Sequence, residues 1–484
     1  MKKITLDVQP GTSAKDSFAA LCFDFTGDTP VEISAIKSGG GDRRYFRLKL
    51  RDDSTMVGAV CSDMVESEAF VNLTEIFLRH EVSVPEIYCV SEDYRYYLMQ
   101  DLGSFSLFDS INSIDIESLV KLTLKKLVAM QLVTTTAWEK AVMAKAFSGR
   151  QVMWDLNYFK YEFAKPAGAL FDEEKLEDDF EELVRALTNT PDCLWGFMMR
   201  DCQSRNVMLT PAPVFIDYQA GRYGPGIYDA VSLLWQAKAG FSPEFRNKMM
   251  TYYADEFQNR YDSTTSEAKH AILTLTSLFA LFRTLQVLGA YGFRGLVEKK
   301  AHFIESIPNA LQNLSKLISE GTLADYPELE KLCNQLCSDS RFQKTESDGK
   351  LHIKVFSFSY KKGYPEDLTG NGGGFMFDCR GLHNPGRYEQ YKSLTGRDKP
   401  VIDFLRESST ADSFAAGAAD LVSETVECYL KRGFDSLQIG FGCTGGRHRS
   451  VYCAEFAAHE LKRRYPDAVV YLIHREQDIS EEIK

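Results

Sequence analysis

The sequence predicts an α+β first part built as two lobes, followed by an α/β part that carries a phosphate-binding loop. Three observations carry that expectation. Residues 1–105 alternate β-branched and aromatic runs with glycine and charged turns, residues 106–325 have mostly helical periodicity, and from 351 onward strands alternate with helices. At 484 residues the chain exceeds one ordinary core. The chemistry divides at the same place. Residues 351–484 hold 18 basic and 19 acidic side chains and five of the eight histidines, whereas the whole chain carries −12. Nearly all the excess acidity therefore precedes them.

In order along the chain, VEISAIKSGGGDRRYFRLKLRDDSTMVGAV reads as three strands separated by a glycine turn and a charged turn. SEAFVNLTEIFLRHE, residues 67–81, sets Phe70, Leu73, Ile76 and Phe77 at helical spacing. VPEIYCVSEDYRYYLMQDLG adds two strands that end at an Asp-Leu-Gly turn. Inside the helical stretch, LWGFMMRDCQSRNVMLTPAPVFIDYQAG reads as a loop and a Pro-turned hairpin. Residues 326–350 close on a polar run and are expected to be a linker. Beyond them, LHIKVFSFSY and FMFDCRG are strands, residues 418–432 a helix, and SLQIGFGC a buried strand entering a glycine turn. SVYCAEFAAHELKRRYP is then a helix and DAVVYLIHRE the last strand.

Several classes are disfavoured. With 44% hydrophobic and 26% charged residues the chain is not a disordered one. The apolar stretch 271–282 is too short to span a bilayer, and MKKITLDVQPG has no apolar core for a signal peptide. Eleven cysteines, an odd number without a CxxC pair, indicate reduced thiols and a cytoplasmic protein. The acidic balance argues against nucleic acid as a partner. Homo-oligomerisation stays open. Cys333 and Cys337 share a helix without neighbouring histidines, which favours packing over a metal site.

Three separated features fit phosphoryl transfer. In SGGGDRRYF, Gly39, Gly40 and Gly41 lack the Cβ that would hold amides off phosphate oxygens, and Arg43 and Arg44 add charge. In MMRDCQSRN, Asn206 follows Asp201 by five positions, and Asp217 comes eleven after that, beyond a short hairpin. That is the spacing of kinase catalytic and metal loops. There the first Asp takes the acceptor hydroxyl's proton, while the Asn and second Asp hold Mg on the phosphates of ATP. Asp229 opens a helix in YGPGIYDAVSLLWQ, where capping is its bland role.

On these residues, with LMQDLG at 98–103 and RTLQVLGAYGFRGLVEKKAHFIESIPNALQNL at 283–314, residues 30–325 resemble the aminoglycoside-phosphotransferase and choline-kinase superfamily. Within it they most resemble the N-acetylmuramate/N-acetylglucosamine anomeric kinases. The resemblance implies a protein-kinase-like two-lobe fold and a sugar hydroxyl as acceptor, with ATP and Mg as cofactors. It makes Asp201 the catalytic base, Asn206 and Asp217 the metal ligands, Asp101 a nucleotide-side residue where the lobes join, and Asp229 a buried support. Two departures stand out. Met199 replaces the usual His before Arg-Asp, and MVGAVCSD at 56–63 has no lysine, leaving Glu66 or Glu68 without the expected partner. A nucleotide binder without turnover is the alternative.

The last part carries Cys443-Thr444-Gly445-Gly446-Arg447-His448-Arg449-Ser450 between a buried strand and a helix. Glycine amides, a helix N-terminus and converging cations make this an anion trap. Its Cys-x5-Arg-Ser spacing also suits a cysteine phosphatase, for which Asp378 is the one attractive general acid. SFSYKKGYPED, FMFDCRGLHNPGRYEQYKSLTGRDKPVIDFL and IGFGCTGGRHRSVYCAE resemble the C-terminal domain of RapZ, an RNase adapter that senses glucosamine 6-phosphate. By that resemblance Asp378, Arg380, Cys443, Thr444, Gly445, Gly446, His448 and Arg449 line an amino-sugar-phosphate pocket. Sugar and sugar phosphate are the implied partners, and binding is favoured over hydrolysis. Gly386 departs from a family histidine, and His474 could border the pocket.

Overall fold

The computed structural model describes residues 2–6, 13–36, 43–142, 145–342, 349–365 and 374–484. The chain divides into two compact units, Met1–Val297 with Ser306–Gln343, and Glu298–Glu305 with Lys344–Lys484.

The first lobe of the first unit holds β1 (Lys2–Ile4), α1 (Ala14–Thr26), β2 (Glu32–Ile36), β3 (Arg44–Lys49), β4 (Thr55–Val60), α2 (Met64–Arg79), β5 (Ile87–Ser91) and β6 (Tyr96–Gln100). They form a sheet of order β1-β5-β6-β4-β3-β2, antiparallel except for β1 with β5. Alternation along β3 decides its two faces. Phe46 and Leu48 are buried with Phe18 and Leu21 of α1, while Arg43, Tyr45 and Arg47 fall on the other face. Helix α2 starts at the Asp63 side chain, which accepts the Glu66 N–H at 3.0 Å. It buries Phe70, Leu73 and Phe77 of the four residues its periodicity marks and leaves Ile76 half-buried.

The second lobe follows as α3 (Ile116–Gln131), α4 (Thr135–Trp138), α5 (Gly149–Phe159), α6 (Glu173–Thr188), β7 (Trp195–Met198), β8 (Val207–Leu209), β9 (Pro213–Phe215) and β10 (Arg222–Pro225). It continues through α7 (Ile227–Leu234), α8 (Pro243–Tyr261), α9 (Glu267–Tyr291), α10 (Ala301–Ile304), α11 (Ile307–Ser319) and α12 (Pro327–Ser338). The stretch 271–282 lies inside α9, which with the turn after it is long and apolar enough to cross a membrane by length and composition. Here it is a core helix, packed on α5, α7, α8 and α11 through Ile272, Phe279, Phe282, Leu285 and Leu288. A Cβ at Gly289 would sit 2.9 Å from the Phe159 backbone N, so the α5 and α9 backbones approach closely only because this residue is glycine.

The expected linker 326–350 needs correcting. Its first half is α12, whose Leu329, Leu332, Cys333 and Leu336 are buried in the first unit's core. One carboxylate oxygen of Asp179 on α6 accepts the Glu328 and Leu329 N–H groups at 2.7 and 2.8 Å, capping α12 from another helix. The polar surface of α12 reads as linker because its cap lies nearly 150 residues away in sequence.

The second unit contains β11 (His352–Ser359), β12 (Phe375–Asp378), α13 (Lys399–Ser408), α14 (Ala411–Arg432), β13 (Ser436–Cys443), α15 (Arg449–Arg464), β14 (Val469–His474) and β15 (Ile479–Ile483). Its sheet order is β12-β13-β11-β14-β15, parallel apart from the β14–β15 pair. Helix α14 begins earlier than the expected 418, and β15 is an added edge strand rich in glutamate. The loop after β13 lies at the carboxyl ends of parallel strands, where such sheets bind ligands.

Candidate functional site

In the first unit β7 pairs antiparallel with β10, and the chain leaves β7 into the loop 199–206. Asp229 on α7 sets the loop's shape rather than capping its own helix. Its Oδ2 accepts the Met199 N–H at 2.6 Å and its Oδ1 the Arg200 N–H at 2.8 Å. Burial pushes the Asp229 carboxyl up to about 7, opposed by those two amides. Met199 is itself buried, so an apolar side chain serves where the family has histidine. Arg200 takes a left-handed φ of 74°, and its Nη2 is held by Asp155 Oδ2 at 2.8 Å.

Asp201 lies 40% exposed beside this buttress. Asn206 Nδ2 donates to the Asp201 carbonyl at 2.9 Å and, more weakly, to Oδ2 at 3.4 Å; Gln203 Nε2 donates to Oδ1. The Ile216 N–H donates to the Asn206 carbonyl at 3.0 Å, so the β8–β9 hairpin returns the chain to the loop one residue before Asp217. Asp217 has a φ of 64° and accepts from Gln219 Nε2 at 2.7 Å. The next residue, Tyr218, stacks on Phe70 at 5.0 Å, meets Phe77 edge-on and bonds the Thr74 hydroxyl. Helix α2 is thereby fastened to the Asp217 segment.

Glu66 does not lack a partner, which corrects the reading from sequence. Arg43 Nη2 pairs with Glu66 Oε1 at 2.7 Å, its Nη1 donates to the Tyr45 hydroxyl at 3.3 Å, and its guanidinium lies 5.4 Å from the Phe70 ring centre. Burial alone would lower its pKa, but Tyr97, Tyr45 and Glu66 outweigh that and raise it. Register explains why the cation comes from the residue just before β3. Val57 and Ala59 of β4 stand opposite Arg47 and Tyr45, share their face and are buried and apolar. Arg43, just before β3, gives Glu66 the cationic partner that β4 does not carry.

Asp101 also behaves differently from expectation. Both its oxygens take Arg47, at 2.6 and 3.0 Å, and Oδ1 accepts the Gly103 N–H at 2.9 Å. Burial works against it, yet Arg47 and Gly103 hold its carboxyl below the ordinary value. The side chain fixes the lobe-joining turn. Gly39, Gly40 and Gly41 lie outside the described residues. Sequence reading missed Asp155, Gln286 and Arg283. A signal existed, because Arg283 is the sole charged residue in 271–293.

In the second unit a cleft of about 240 Å³ is lined by Cys443, Thr444, Gly445, His448 and Arg449, joined by Asn384, Gly386 and Arg447. Burial, the largest influence on Cys443, would raise its thiol pKa. The Ser450 hydroxyl, 3.1 Å from Sγ, and the N–H groups of Ser450, Arg447 and Gly446 outweigh it and hold the thiol below its ordinary value. Gly446 faces away from the cleft: its φ is 65°, and a Cβ there would lie 2.9 Å from the Ser359 N. Arg449 Nη1 donates to the carbonyls of Arg380 and Leu382 at 2.9 and 3.0 Å, while its buried Nε has no partner among the described residues. Arg447 likewise spends Nε and Nη2 on the Leu394 and Ser393 carbonyls.

His448 Nε2 must donate, because its partner at 2.9 Å is the Tyr391 carbonyl. Burial lowers its pKa, so the ring is neutral near pH 7 and Nδ1 is an acceptor. Gly386 stands against that edge of the ring; a Cβ would come 3.6 Å from Nδ1. Asp378 and Arg380 do not line the cleft. They pair with each other at 2.7 Å, and Arg380 lies 4.3 Å over the Tyr360 ring. Arg380 holds the Asp378 carboxyl below its ordinary value, which leaves it a poor proton donor. His474 is buried between Ser357 Oγ, at 2.8 Å, and Glu455, at 3.1 Å, and is a core residue. A larger cleft of about 380 Å³ beside Ala167, Gln335 and Arg341 contains none of these residues.

Residues 32–263 match the model of the phosphotransferase enzyme family, and residues 351–478 that of the RapZ C-terminal domain. A nucleotide-binding protein of Chromobacterium violaceum is 35% identical over 173 residues, which are 36% of this chain and 58% of that protein. One from Carboxydothermus hydrogenoformans is 30% identical over 219 residues, 45% of this chain and 70% of that protein. The chain thus spans under two thirds of the first relative. Among solved structures, a choline kinase from Cryptosporidium parvum superposes with a TM-score of 0.45 at 12% identity, covering 66% of this chain and 99% of that one.

Proposed function

We propose that this chain, which belongs to the phosphotransferase enzyme family over residues 32–263 and to the RapZ C-terminal family over 351–478, phosphorylates a sugar hydroxyl and binds an amino-sugar phosphate in its second unit. The observation that carries the first half is the loop 199–206, shaped by the Met199 and Arg200 N–H groups donating to Asp229. Asp201, exposed and oriented by Asn206 and Gln203, accepts the proton of the attacking hydroxyl. Arg43, braced by Glu66, supplies the charge for the nucleotide's phosphates that a strand lysine gives elsewhere.

The Asn206 amide nitrogen is committed to Asp201, which leaves its oxygen, with the Asp217 carboxylate, as hard donors of the kind Mg takes. Asn206 Oδ1 and the Asp217 carboxylate would hold such an ion, which would supply positive charge against the phosphates of ATP. An amino sugar is the favoured acceptor because both resemblances point to hexosamine chemistry. The second unit suits the same ligand class. Backbone N–H groups and Arg449 Nε receive the phosphate, and the neutral His448 Nδ1 accepts from a sugar hydroxyl or ammonium. The lowered thiol pKa of Cys443 favours a second reading, phosphate-ester hydrolysis, but Asp378, held below its ordinary value by Arg380, is a poor proton donor to a leaving oxygen. Eleven unpaired cysteines suit a reducing cytoplasm.

The test is incubation with ATP, magnesium and a panel of hexosamines, read by mass and by the anomeric proton signals. A sugar gaining one phosphoryl group supports the reading. Failure with every sugar, while the nucleotide still binds, contradicts it.

A further inference from the structure

Helix α9 places one charge in an apolar stretch, and it lies at the candidate reaction centre. Arg283 is 12% exposed, against 40% for Asp201 beside it. A buried guanidinium is costly unless its donors are used. One arm is fully used: Nη1 donates to the Tyr228 hydroxyl at 3.0 Å and to Gln286 Oε1 at 2.7 Å. Gln286 is braced in turn, its Nε2 bonded at 3.0 Å to the Asp155 oxygen that also holds Arg200. The other arm is barely used. Nη2 stands 3.5 Å from Asp201 Oδ1, beyond a well-made hydrogen bond. Asp201 meanwhile has a nearer partner in Gln203. Burial would lower the Arg283 pKa, but Tyr228 and Asp201 outweigh it, so the group is held cationic.

Phosphoryl transfer spreads negative charge over three equatorial oxygens and gains most from fixed cations. The loop's own arginines are committed elsewhere, Arg200 to Asp155 and Arg205 over the Phe108 ring at 4.5 Å. We propose that Arg283 is a catalytic arginine acting in cis, whose Nη2 arm swings from Asp201 onto the phosphoryl group in flight. The proposal rests on the phosphotransferase reading above. In the step, the acceptor oxygen bonds phosphorus, the bond from phosphorus to the nucleotide's bridging oxygen breaks, and the nucleoside diphosphate leaves. The acceptor proton passes to Asp201. Arg283 keeps its protons and donates hydrogen bonds only.

Arg283→Ala, Arg283→Lys and Asp201→Asn are compared with the wild-type full chain. Arginines acting in cis or trans on such centres are worth about 10³–10⁵ in kcat, and a loss of that order is expected for Arg283→Ala with both KM values little changed. Added guanidinium should recover part of the rate. Binding of ADP with magnesium and aluminium fluoride should weaken while ADP alone binds as before, a difference that a merely structural role would not produce. Thermal unfolding controls for misfolding. Should Arg283→Ala not fold, Arg283→Lys carries the test, because it keeps the charge and loses the two-armed geometry. An unchanged kcat, or a raised acceptor KM with kcat intact, overturns the proposal. A wild type as inactive as Asp201→Asn sinks the phosphotransferase reading itself, and this proposal with it.

Discussion

The two candidate anion-binding loops of this chain place arginine differently. In the first unit the guanidiniums come from elements distant in sequence: Arg43 before β3 uses both arms, on Glu66 and Tyr45, while Arg283 on α9 anchors one arm and leaves the other loosely engaged by Asp201. Around Cys443 the arginines belong to the loop itself, and Arg447 spends Nε and Nη2, and Arg449 its Nη1, on backbone carbonyls. There Arg447 and one arm of Arg449 hold the loop in shape, and in the proposed reading the backbone amides and Arg449 Nε are left to meet a phosphate. A site that must stabilise charge as it moves benefits from cations that can follow it. A site that only holds a fixed phosphate needs a rigid cradle.

The sharpest way to break this contrast is Asp201→Asn. Loss of a positioned general base costs about 10²–10⁴ in rate, and sugar phosphorylation should fall by that order with nucleotide affinity nearly intact. Turnover at the wild-type level would remove Asp201 from the chemistry. Asp229→Asn comes next. One of the two loop amides would face an NH₂ group in the core, costing about 1–3 kcal/mol in urea unfolding, together with activity. An unchanged unfolding midpoint would mean the loop is held some other way.

Arg43→Ala and Glu66→Gln sharpen the comparison on the nucleotide side. Both should raise the nucleotide KM, and their double mutant should fall short of additivity by about 0.5–3 kcal/mol, the range for directly paired groups. Independent effects would separate Arg43 from Glu66. In the second unit Arg449→Ala should weaken binding of glucosamine 6-phosphate by calorimetry, whereas Cys443→Ser should be mild because the amides remain. The reverse order would give the thiolate the larger part. The smallest effect concerns reactivity. Because the folded loop depresses the Cys443 pKa, its alkylation should rise with pH and level off below the range of an ordinary thiol, and bound sugar phosphate should slow it.

The contrast also explains what was legible in the sequence. The Cys443 loop is eight consecutive residues between a strand and a helix, so its chemistry is local and its spacing readable. Even there, Asp378 and Arg380 carry the right chemistry yet pair with each other outside the cleft, which only the fold reveals. The Asp201 site is legible where it is local, from Asp201 through the β8–β9 hairpin to Asp217. It is opaque where it is assembled. The Arg43–Glu66 pair spans 23 residues and depends on which face of β3 meets α2, and Arg283 lies 82 residues from Asp201 on a helix marked by apolar content. Alternation and periodicity gave β2–β6, the β8–β9 hairpin, β11–β14, α2 and α15, and missed β1, β7, β10 and β15. They failed at α12, whose cap is supplied by Asp179 from another helix.

Phosphorus NMR of the full chain with ATP, magnesium and N-acetylglucosamine or N-acetylmuramate examines both loops at once. The account predicts that the γ-phosphate signal decays in step with a new sugar phosphomonoester signal. That signal should then persist, because the Cys443 cleft binds the phosphate without cleaving it. Inorganic phosphate appearing in place of the sugar phosphate would contradict the account, as would an ATP signal that never changes with any hexosamine.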